Sequence, residues 1–263
     1  MFIGIDIGGT NIRVASSESV IDPVVIDRID FANGPDYQHN MQLIEQAIRK
    51  LAPVVDGIGI GMPGRLNEEL TTITHSRSVK QWIDQPLVET LSQTFQCPVR
   101  MNGDQYCAAL SEAIFGKRHD DFFCLVYGTG LGAARVTYQG GIPTIERFSD
   151  DEHATYLHPW QQDCGGKWVQ ERLGKPLAEL SEDEWAVIMD QFYIHLAKFI
   201  NELQPPRLVF GGGVATKQWI RLQSVFDRFR TEHLDLASFE ISLAHYKEDA
   251  GLYGAFALLQ TNV

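Results

Sequence analysis

Cysteine is scarce in this chain: Cys97, Cys107, Cys124 and Cys164 are the only four among 263 residues. They are widely spaced, form no CxxC pair and mostly fall in apolar stretches, which points to packed, reduced thiols rather than a disulfide framework. Long apolar runs are missing too. Nothing approaches the roughly 20 residues that cross a bilayer, and the opening MFIGIDIGGT has neither the basic start nor the cleavage site of a secretory signal. A cytoplasmic protein with no membrane partner is therefore expected. Basic residues are outnumbered, 22 Lys and Arg against 34 Asp and Glu, for a net charge of −12. A nucleic-acid partner is not expected, because no broad positive surface would attract a phosphate backbone. Any anionic ligand must be held locally, by backbone N–H groups or a divalent cation. Low-complexity segments and residue-level repeats are also lacking. The 44% hydrophobic and 21% charged content is that of an ordinary globular protein, and the length allows one large domain or two compact lobes.

What is present has a readable order. Residues 2–7 and 11–15 flank a Gly-Gly-Thr turn, and 22–30 form a third apolar, β-branched stretch, so the chain opens on a hairpin-rich sheet. Met41, Ile44, Ala47, Ile48 and Leu51 recur at helical spacing and predict a helix over 37–51. A buried strand is expected within 54–64, running into a Pro-Gly turn, then a helix at 86–95, a short strand at 98–101 and a helix at 104–115. Strand, Gly turn and strand recur at 122–138. Residues 140–165 mix charge, aromatics, histidine and glycine without a clear period and read as a loop able to line a site. Helices follow at 166–173 and 182–203, the second capped by Ser181. A strand at 207–210, a helix, a strand at 239–243 and a last helix at 249–260 complete the chain.

Three glycine-rich segments carry the chemistry. A Gly turn between strands presents several N–H groups to a phosphate, because no Cβ blocks approach and Gly tolerates positive φ. Gly8-Gly9-Thr10 and Gly128-Thr129-Gly130-Leu131-Gly132 both have this form, and each brings a Thr hydroxyl. Asp6 adds a carboxylate at a strand end, able to hold Mg²⁺ directly or through water. One such turn alone is most simply a tight hairpin. Two, together with Gly211-Gly212-Gly213 where a strand feeds a helix and a flat adenine can lie against backbone, favour a nucleotide site. A dinucleotide fold is set aside because its GxGxxG must join strand to helix, whereas Gly128 to Gly132 leads into the strand-like AARVTY.

DIGGT at 6–10, GMPG at 61–64, PVRMNGDQYCAALSE at 98–112, GTGLG at 128–132, FGGGVA at 210–215 and DAGLYGA at 249–255 together resemble the ROK family. That family groups repressors, uncharacterised reading frames and sugar kinases within the actin/hexokinase/Hsp70 superfamily. The resemblance spans nearly the whole chain, and the order and spacing of the motifs are more specific than any one of them. It implies an α/β, two-lobed actin/hexokinase-like (ribonuclease H-like) fold with a ligand cleft between the lobes. The small N-terminal lobe is expected over 1–103, completed by the C-terminal helix 249–263, and the larger lobe over 104–248. The implied activity is ATP-dependent phosphorylation of a hexose or N-acetylhexosamine, at the 6-hydroxyl, with ATP and Mg²⁺ as cofactors and a homodimer as the assembly.

By the same resemblance Asp6, Gly8, Gly9, Thr10, Gly128, Thr129, Gly130 and Gly132 form the phosphate loops, with Asp6 on the magnesium side. Gly211, Gly212 and Gly213 belong to the adenosine site, and Asp104 is the base. HSRSVKQWIDQPLVETLSQ at 75–93 and HYKEDAGLYGAFALLQ at 245–260 are most similar to the N-acetylmannosamine kinases. ROK repressors carry a DNA-reading helix-turn-helix ahead of the kinase-like body, whereas this sequence opens on the first strand, so a repressor is not expected.

Departures from the family pattern concern the sugar. The usual Asn-Asp pair reads Gly103-Asp104, with Asn102 next door. The family's zinc motif sets a His before three clustered cysteines; only Cys164 stands here, and no zinc site is expected. The family's Glu-x-x-His falls on Asp150–His153 or on Thr155–His158, with Glu152 as a substitute carboxylate, and a later Glu on Glu171 or Gln161. The candidate sugar contacts are thus Gly64 at the rim, Asn102, Asp104, Glu152, His153, His158 and Glu171, with Arg65 following the rim. Phosphoryl transfer asks mainly for positioning and charge stabilisation, plus a carboxylate to take the hydroxyl proton. At a helix start Asp104 would ordinarily serve as N-cap, and the helix dipole would keep it ionised for use as a base. Asp249, opening the last helix, either assists Asp6 or caps. A non-catalytic sugar or nucleotide sensor is the rival reading, motivated by Gly103 and the altered 140–165, and polyphosphate is an alternative donor.

Overall fold

Ile3, Ile5 and Ile7 are fully buried along β1 (Phe2–Ile7), and Val14 and Ile12 lie opposite Ile5 and Ile7 on β2 (Asn11–Ser17). This apolar pairing fixes the register of the opening hairpin, since a one-residue slip would turn those side chains to the other face. β3 (Asp27–Ala32) pairs antiparallel with β2. α1 (Tyr37–Leu51) then buries Met41, Ile44, Ala47, Ile48 and Leu51, and β4 (Gly57–Met62) runs parallel to β1 on its free side. Beyond the short pair β5 (Arg65–Leu66) and β6 (Ile73–His75) come α2 (Leu87–Phe95), β7 (Val99–Gly103) parallel to β4, and α3 (Asp104–Phe115). The sheet order is β3-β2-β1-β4-β7.

A second sheet repeats this plan with other residues. β8 (Phe122–Tyr127), β9 (Leu131–Gln139) and β10 (Ile142–Arg147) are antiparallel neighbours. Then follow α4 (Asp150–Glu152), a π-helical turn at His153–Leu157, α5 (His158–Cys164), α6 (Gly166–Leu173) and α7 (Glu182–Leu203). β11 (Leu208–Gly211), α8 (Gly213–Lys217), α9 (Trp219–Glu232) and β12 (Ile241–Leu243) follow, giving the order β10-β9-β8-β11-β12. α10 (Ala250–Leu258) is the last described element. Each five-stranded sheet is therefore a three-stranded antiparallel meander continued by two parallel strands, the mixed α/β arrangement expected of the fold. Among the described residues, no helix is long and apolar enough to cross a membrane.

The computed structural model describes residues 1–116, 118–236 and 238–260 and separates into two units. One comprises Met1–Arg118 with the segment from Asp249, the other His119–Glu248. The first has its own core around Ile5, Ile58, Ile60, Met62, Trp82 and Leu91; the second is built on Tyr127, Trp160, Phe192, Phe210 and Phe226. α3 belongs to the first unit because α10 crosses it at backbone contact: a Cβ on Gly254 would stand 1.8 Å from the Cys107 carbonyl oxygen. The break between units therefore falls beyond α3 rather than near residue 103. Residues 261–263 of the expected C-terminal completion lie outside the described residues.

The segment 140–165, expected as loop, instead carries β10 and a continuous helical run from Asp150 to Cys164. Ser149 starts that run with a capping box: its hydroxyl accepts from Glu152 N at 3.3 Å, and Glu152 returns a bond to Ser149 N at 2.9 Å. The π-helical turn at His153–Leu157 closes i→i+5 bonds in place of i→i+4, so the 3.6-residue period that betrays a helix is broken in the middle of this one.

Candidate active site

Three of the motifs end on neighbouring parallel strands. Asp6 on β1 is in register with Gly61 on β4, and Gly61 with Asn102 on β7. Adjacent strands lie about 4.8 Å apart, so the Gly8–Thr10 turn, the Gly61–Gly64 rim and the Asn102–Asp104 corner form one continuous edge of the first unit. That edge is the carboxyl end of the parallel strands, where ligands of open α/β sheets bind.

Asp6 is held by a residue that the sequence reading passed over. Arg13 lies directly across the hairpin, and its Nη1 donates to Asp6 Oδ2 at 3.1 Å. Counting back from the Ile7–Ile12 pair beside the turn would have found it. The Asp6 side chain is 14% exposed. Burial pushes its carboxyl above the ordinary value, the Arg13 guanidinium pulls it back, and the Asp249 carboxylate adds to the push. Asp249 occupies the N-cap position of α10 without a side-chain capping bond. Its Oδ1 accepts from Arg28 Nη1 at 2.8 Å and lies 3.9 Å from Arg13, which joins it to the Asp6 ion-pair network rather than to the helix end.

Gly103 takes the N-cap position of α3, so Asp104 is the first residue inside the helix rather than its cap. Asp104 Oδ1 accepts from Gln105 N at 2.9 Å. Asn102 is buried, with its Oδ1 accepting from Gly103 N at 2.8 Å. One turn into α3, burial pushes the Cys107 thiol well up, and the Asp6 and Asp104 carboxylates add to it. Gly64 sits at φ +142°, and Arg65 after it is exposed.

The second unit carries the other two glycine segments side by side. β11 pairs with β8 as far as Gly211↔Val126, so the triple-glycine segment and the Gly128–Gly132 turn share one end of the sheet. Gly212, at φ +93°, packs against the Tyr127 backbone, where a Cβ would stand 2.6 Å from the carbonyl oxygen. The Gly128 and Thr129 carbonyls accept from the Gly166 and Lys167 N–H groups of α6 at 3.0 and 2.9 Å. In a trans peptide the following N–H points the opposite way, so the Thr129 and Gly130 N–H groups are turned away from α6. Leu131 N donates to Gln161 Oε1 at 3.1 Å, which gives Gln161 a part in shaping this turn.

The remaining sugar candidates stand on the helical run of the second unit. His153 and His158 bracket the π turn, and its extra residue sets them one above the other, ring centroids 6.4 Å apart. Glu152 is engaged by Arg135 through both oxygens, and that guanidinium holds its carboxyl down to about 2. Glu171 is exposed on α6, with Lys167 3.8 Å away. Cys164 is buried, its Sγ 3.6 Å from the Ile188 carbonyl oxygen, and burial pushes its thiol up. Among the described residues, no group of three or more His, Cys, Asp or Glu is arranged to hold a metal ion.

Comparison with known proteins gives this arrangement a family context. The model of the ROK family matches residues 2–142, more than half of the chain. The putative fructokinase of Bacillus subtilis is 27% identical, with 98% of this chain and 95% of that protein covered. The N-acetyl-D-glucosamine kinase of Histophilus somni is 25% identical, with 98% of each covered. Among solved structures, the ROK family glucokinase of Streptomyces griseus in complex with glucose and AMPPNP superimposes with a TM-score of 0.76, at 20% identity over 99% of each chain.

Proposed function

The chain belongs to the ROK family, and from that premise we propose that it is an ATP-dependent sugar kinase, with Asp104 as the base that activates a hydroxyl of a hexose or N-acetylhexosamine. The observation that supports the reading is the register Asp6–Gly61–Asn102, which brings the Gly8–Thr10 turn, the Gly61–Gly64 segment and the start of α3 with Asp104 onto one sheet edge. The 6-hydroxyl is the acceptor that the family resemblance suggests. Asp104 would take its proton as the oxygen attacks the γ-phosphorus of ATP, the bond from that phosphorus to the bridging oxygen breaks and ADP departs; the start of α3 favours the carboxylate form.

The Gly8–Thr10 and Gly128–Gly132 turns would donate N–H groups to phosphate oxygens, and Gly211–Gly213 would hold the adenosine. Magnesium takes few protein oxygens and arrives on nucleotide phosphates, so the single carboxylate of Asp6 fits it, directly or through water. When bound, the ion neutralises phosphate charge. Gly64, Asn102, His153 and His158 are the proposed sugar contacts. Glu152 supports the two histidines by capping the helix that bears them, and Glu171, on the surface of α6, is the least supported of the sugar candidates. The family resemblance also suggests a homodimer.

The test is a panel of glucose, fructose, mannose, N-acetylglucosamine and N-acetylmannosamine, each with MgATP or magnesium polyphosphate, following phosphorylated sugar and ADP. N-acetylmannosamine is the substrate that the resemblance at 75–93 and 245–260 favours. General-base contributions are typically about 10²- to 10⁴-fold, so Asp104→Asn is expected to lose at least the lower figure while still binding MgAMPPNP. Retention of more than about a tenth of the wild-type rate would remove Asp104 from the role of base. MgATP binding without turnover on any sugar would make the protein a sensor.

A further inference from the structure

The Gly8–Thr10 turn is held from behind by a residue that no glycine motif contains. Asn33, just past the end of β3, donates its side-chain Nδ2 to the Gly8 carbonyl at 2.7 Å and its backbone N–H to the Thr10 carbonyl at 2.9 Å. Its Oδ1 accepts from three donors: Asn40 Nδ2 at 3.0 Å, Gln81 Nε2 at 2.9 Å and Trp82 Nε1 at 3.1 Å. An indole N–H only donates, so the atom facing Trp82 must be the amide oxygen, and the orientation of Asn33 is fixed by chemistry. Asn40 is fully buried and ties Gly34 in turn, by Nδ2 to its carbonyl at 2.9 Å and Oδ1 to its N–H at 3.0 Å.

The geometry has a directional consequence. No peptide bond here is cis, so fixing the Gly8 carbonyl on Asn33 turns the Gly9 N–H to the opposite side. The clamp is also joined to the substrate rim. Ser76 Oγ donates to the Pro63 carbonyl at 3.2 Å and accepts from Val79 N at 3.2 Å. Trp82 N donates to the Val79 carbonyl at 3.0 Å, and the Trp82 indole reaches Asn33. A continuous hydrogen-bonded path thus runs from Pro63, next to Gly64, to Gly8.

We propose that Asn33 is the positioning residue of the Gly8–Thr10 turn, setting the direction of its N–H donors and tying them through Gln81 and Trp82 to the segment that supports the Gly61–Gly64 rim. The role in catalysis rests on the nucleotide reading of that turn; the effect on the turn itself does not. The test therefore has a ligand-free arm and a kinetic arm. Backbone hydrogen exchange is measured for residues 7–12, with 122–139 of the second unit as internal control, in wild type, Asn33→Ala, Asn33→Asp and Gln81→Leu. Losing one or two net hydrogen bonds corresponds to about a ten-fold change, so Asn33→Ala should speed exchange at 7–12 about ten-fold and leave 122–139 unchanged. Gln81→Leu, which touches neither turn carbonyl, should give the same pattern at roughly three-fold. Asn33→Asp keeps the acceptor for Gln81 and Trp82 but sets an oxygen against the Gly8 carbonyl. It should release the turn while 76–82 stays protected, and it keeps the test alive if Asn33→Ala does not fold.

In the kinetic arm, KM for MgATP should rise about ten-fold in Asn33→Asp with a much smaller change in KM for the sugar. Unchanged exchange at 7–12 in the Asn33 variants, or an equal rise at 7–12 and 122–139, overturns the proposal. A silent Gln81→Leu overturns the part assigned to Gln81, and equal rises in both KM values overturn the directional role. If the wild type binds no MgAMPPNP while exchange at 7–12 follows the expected pattern, the clamp stands and the kinase reading falls.

Discussion

Replacing Gly254 by Ala sets two effects of opposite sign against each other. Alanine is favoured over glycine inside a helix by about 1 kcal/mol, and Gly254 lies within α10. Its new Cβ would stand 1.8, 2.2 and 2.6 Å from the O, C and Cα of Cys107, all backbone atoms of α3 that no side-chain rotation can move aside. Restoring ordinary contact requires the two helices to part by well over an ångström, and overpacking of this kind typically costs about 1–3 kcal/mol and occasionally more. With backbone on both sides, the upper end applies, and a net loss of about 2 kcal/mol is expected after the propensity gain. For a chain of this size that lowers the thermal midpoint by roughly 4–8 °C. The same displacement moves the start of α3 and with it Asp104, where an error of about 1 Å can cost as much as 10²-fold in rate. Calorimetry and the ADP assay on one preparation give both numbers. A midpoint equal to or above that of wild type would mean that propensity had won, and the described α3–α10 contact would be wrong.

Glu152 is held at about 2 against an ordinary 4.5, so its contribution to stability is complete above about pH 4.5 and is lost as pH falls toward 2. The gap in denaturant midpoint between wild type and Glu152→Gln should be full at pH 7 and shrink as pH falls from about 4.5 toward 2; a gap at pH 2.5 as large as at pH 7 would refute the Arg135 clamp as its source. A homodimer is expected in sedimentation velocity at micromolar concentration, and a monomer there would remove the assembly suggested by the family.

The parts of the fold legible in the sequence were those with an uninterrupted period or strong punctuation. The apolar repeat of α1 and the Ser181 start of α7 were readable because each signal is local; Ser181 accepts from Glu184 N at 3.3 Å in a complete capping box. The run 150–164 was not, because its π turn shifts the period and Pro159 sits inside it, although the Ser149-x-x-Glu152 signature was on the page. The positions of Asp6, the Gly61–Gly64 rim and Asp104 were legible as motifs, but their adjacency came only from the parallel pairing of β1, β4 and β7. The extent of the first unit was not legible either, since it depends on a backbone contact between residues 107 and 254.

The two glycine turns show what a motif leaves unsaid. Glycine permits a backbone to approach a phosphate, but it does not choose which way the N–H groups point. In the first turn the Gly8 and Thr10 carbonyls are fixed by Asn33; in the second the Gly128 and Thr129 carbonyls are fixed by Gly166 and Lys167. One turn uses a side-chain amide and its own N–H, the other the start of a helix, yet each fixes two carbonyls, and through the trans peptide the intervening donors. A turn left to glycine alone would have to order those donors at each binding event, with the entropic cost that ordering carries. The anchors lie far from their turns in sequence, Asn33 beyond the whole β2–β3 hairpin and Gly166 beyond β9, β10 and α5. The order of these turns is thus a property of the tertiary fold, which is why substitution at Asn33 is expected to reach the Gly8–Thr10 turn while leaving DIGGT itself unchanged.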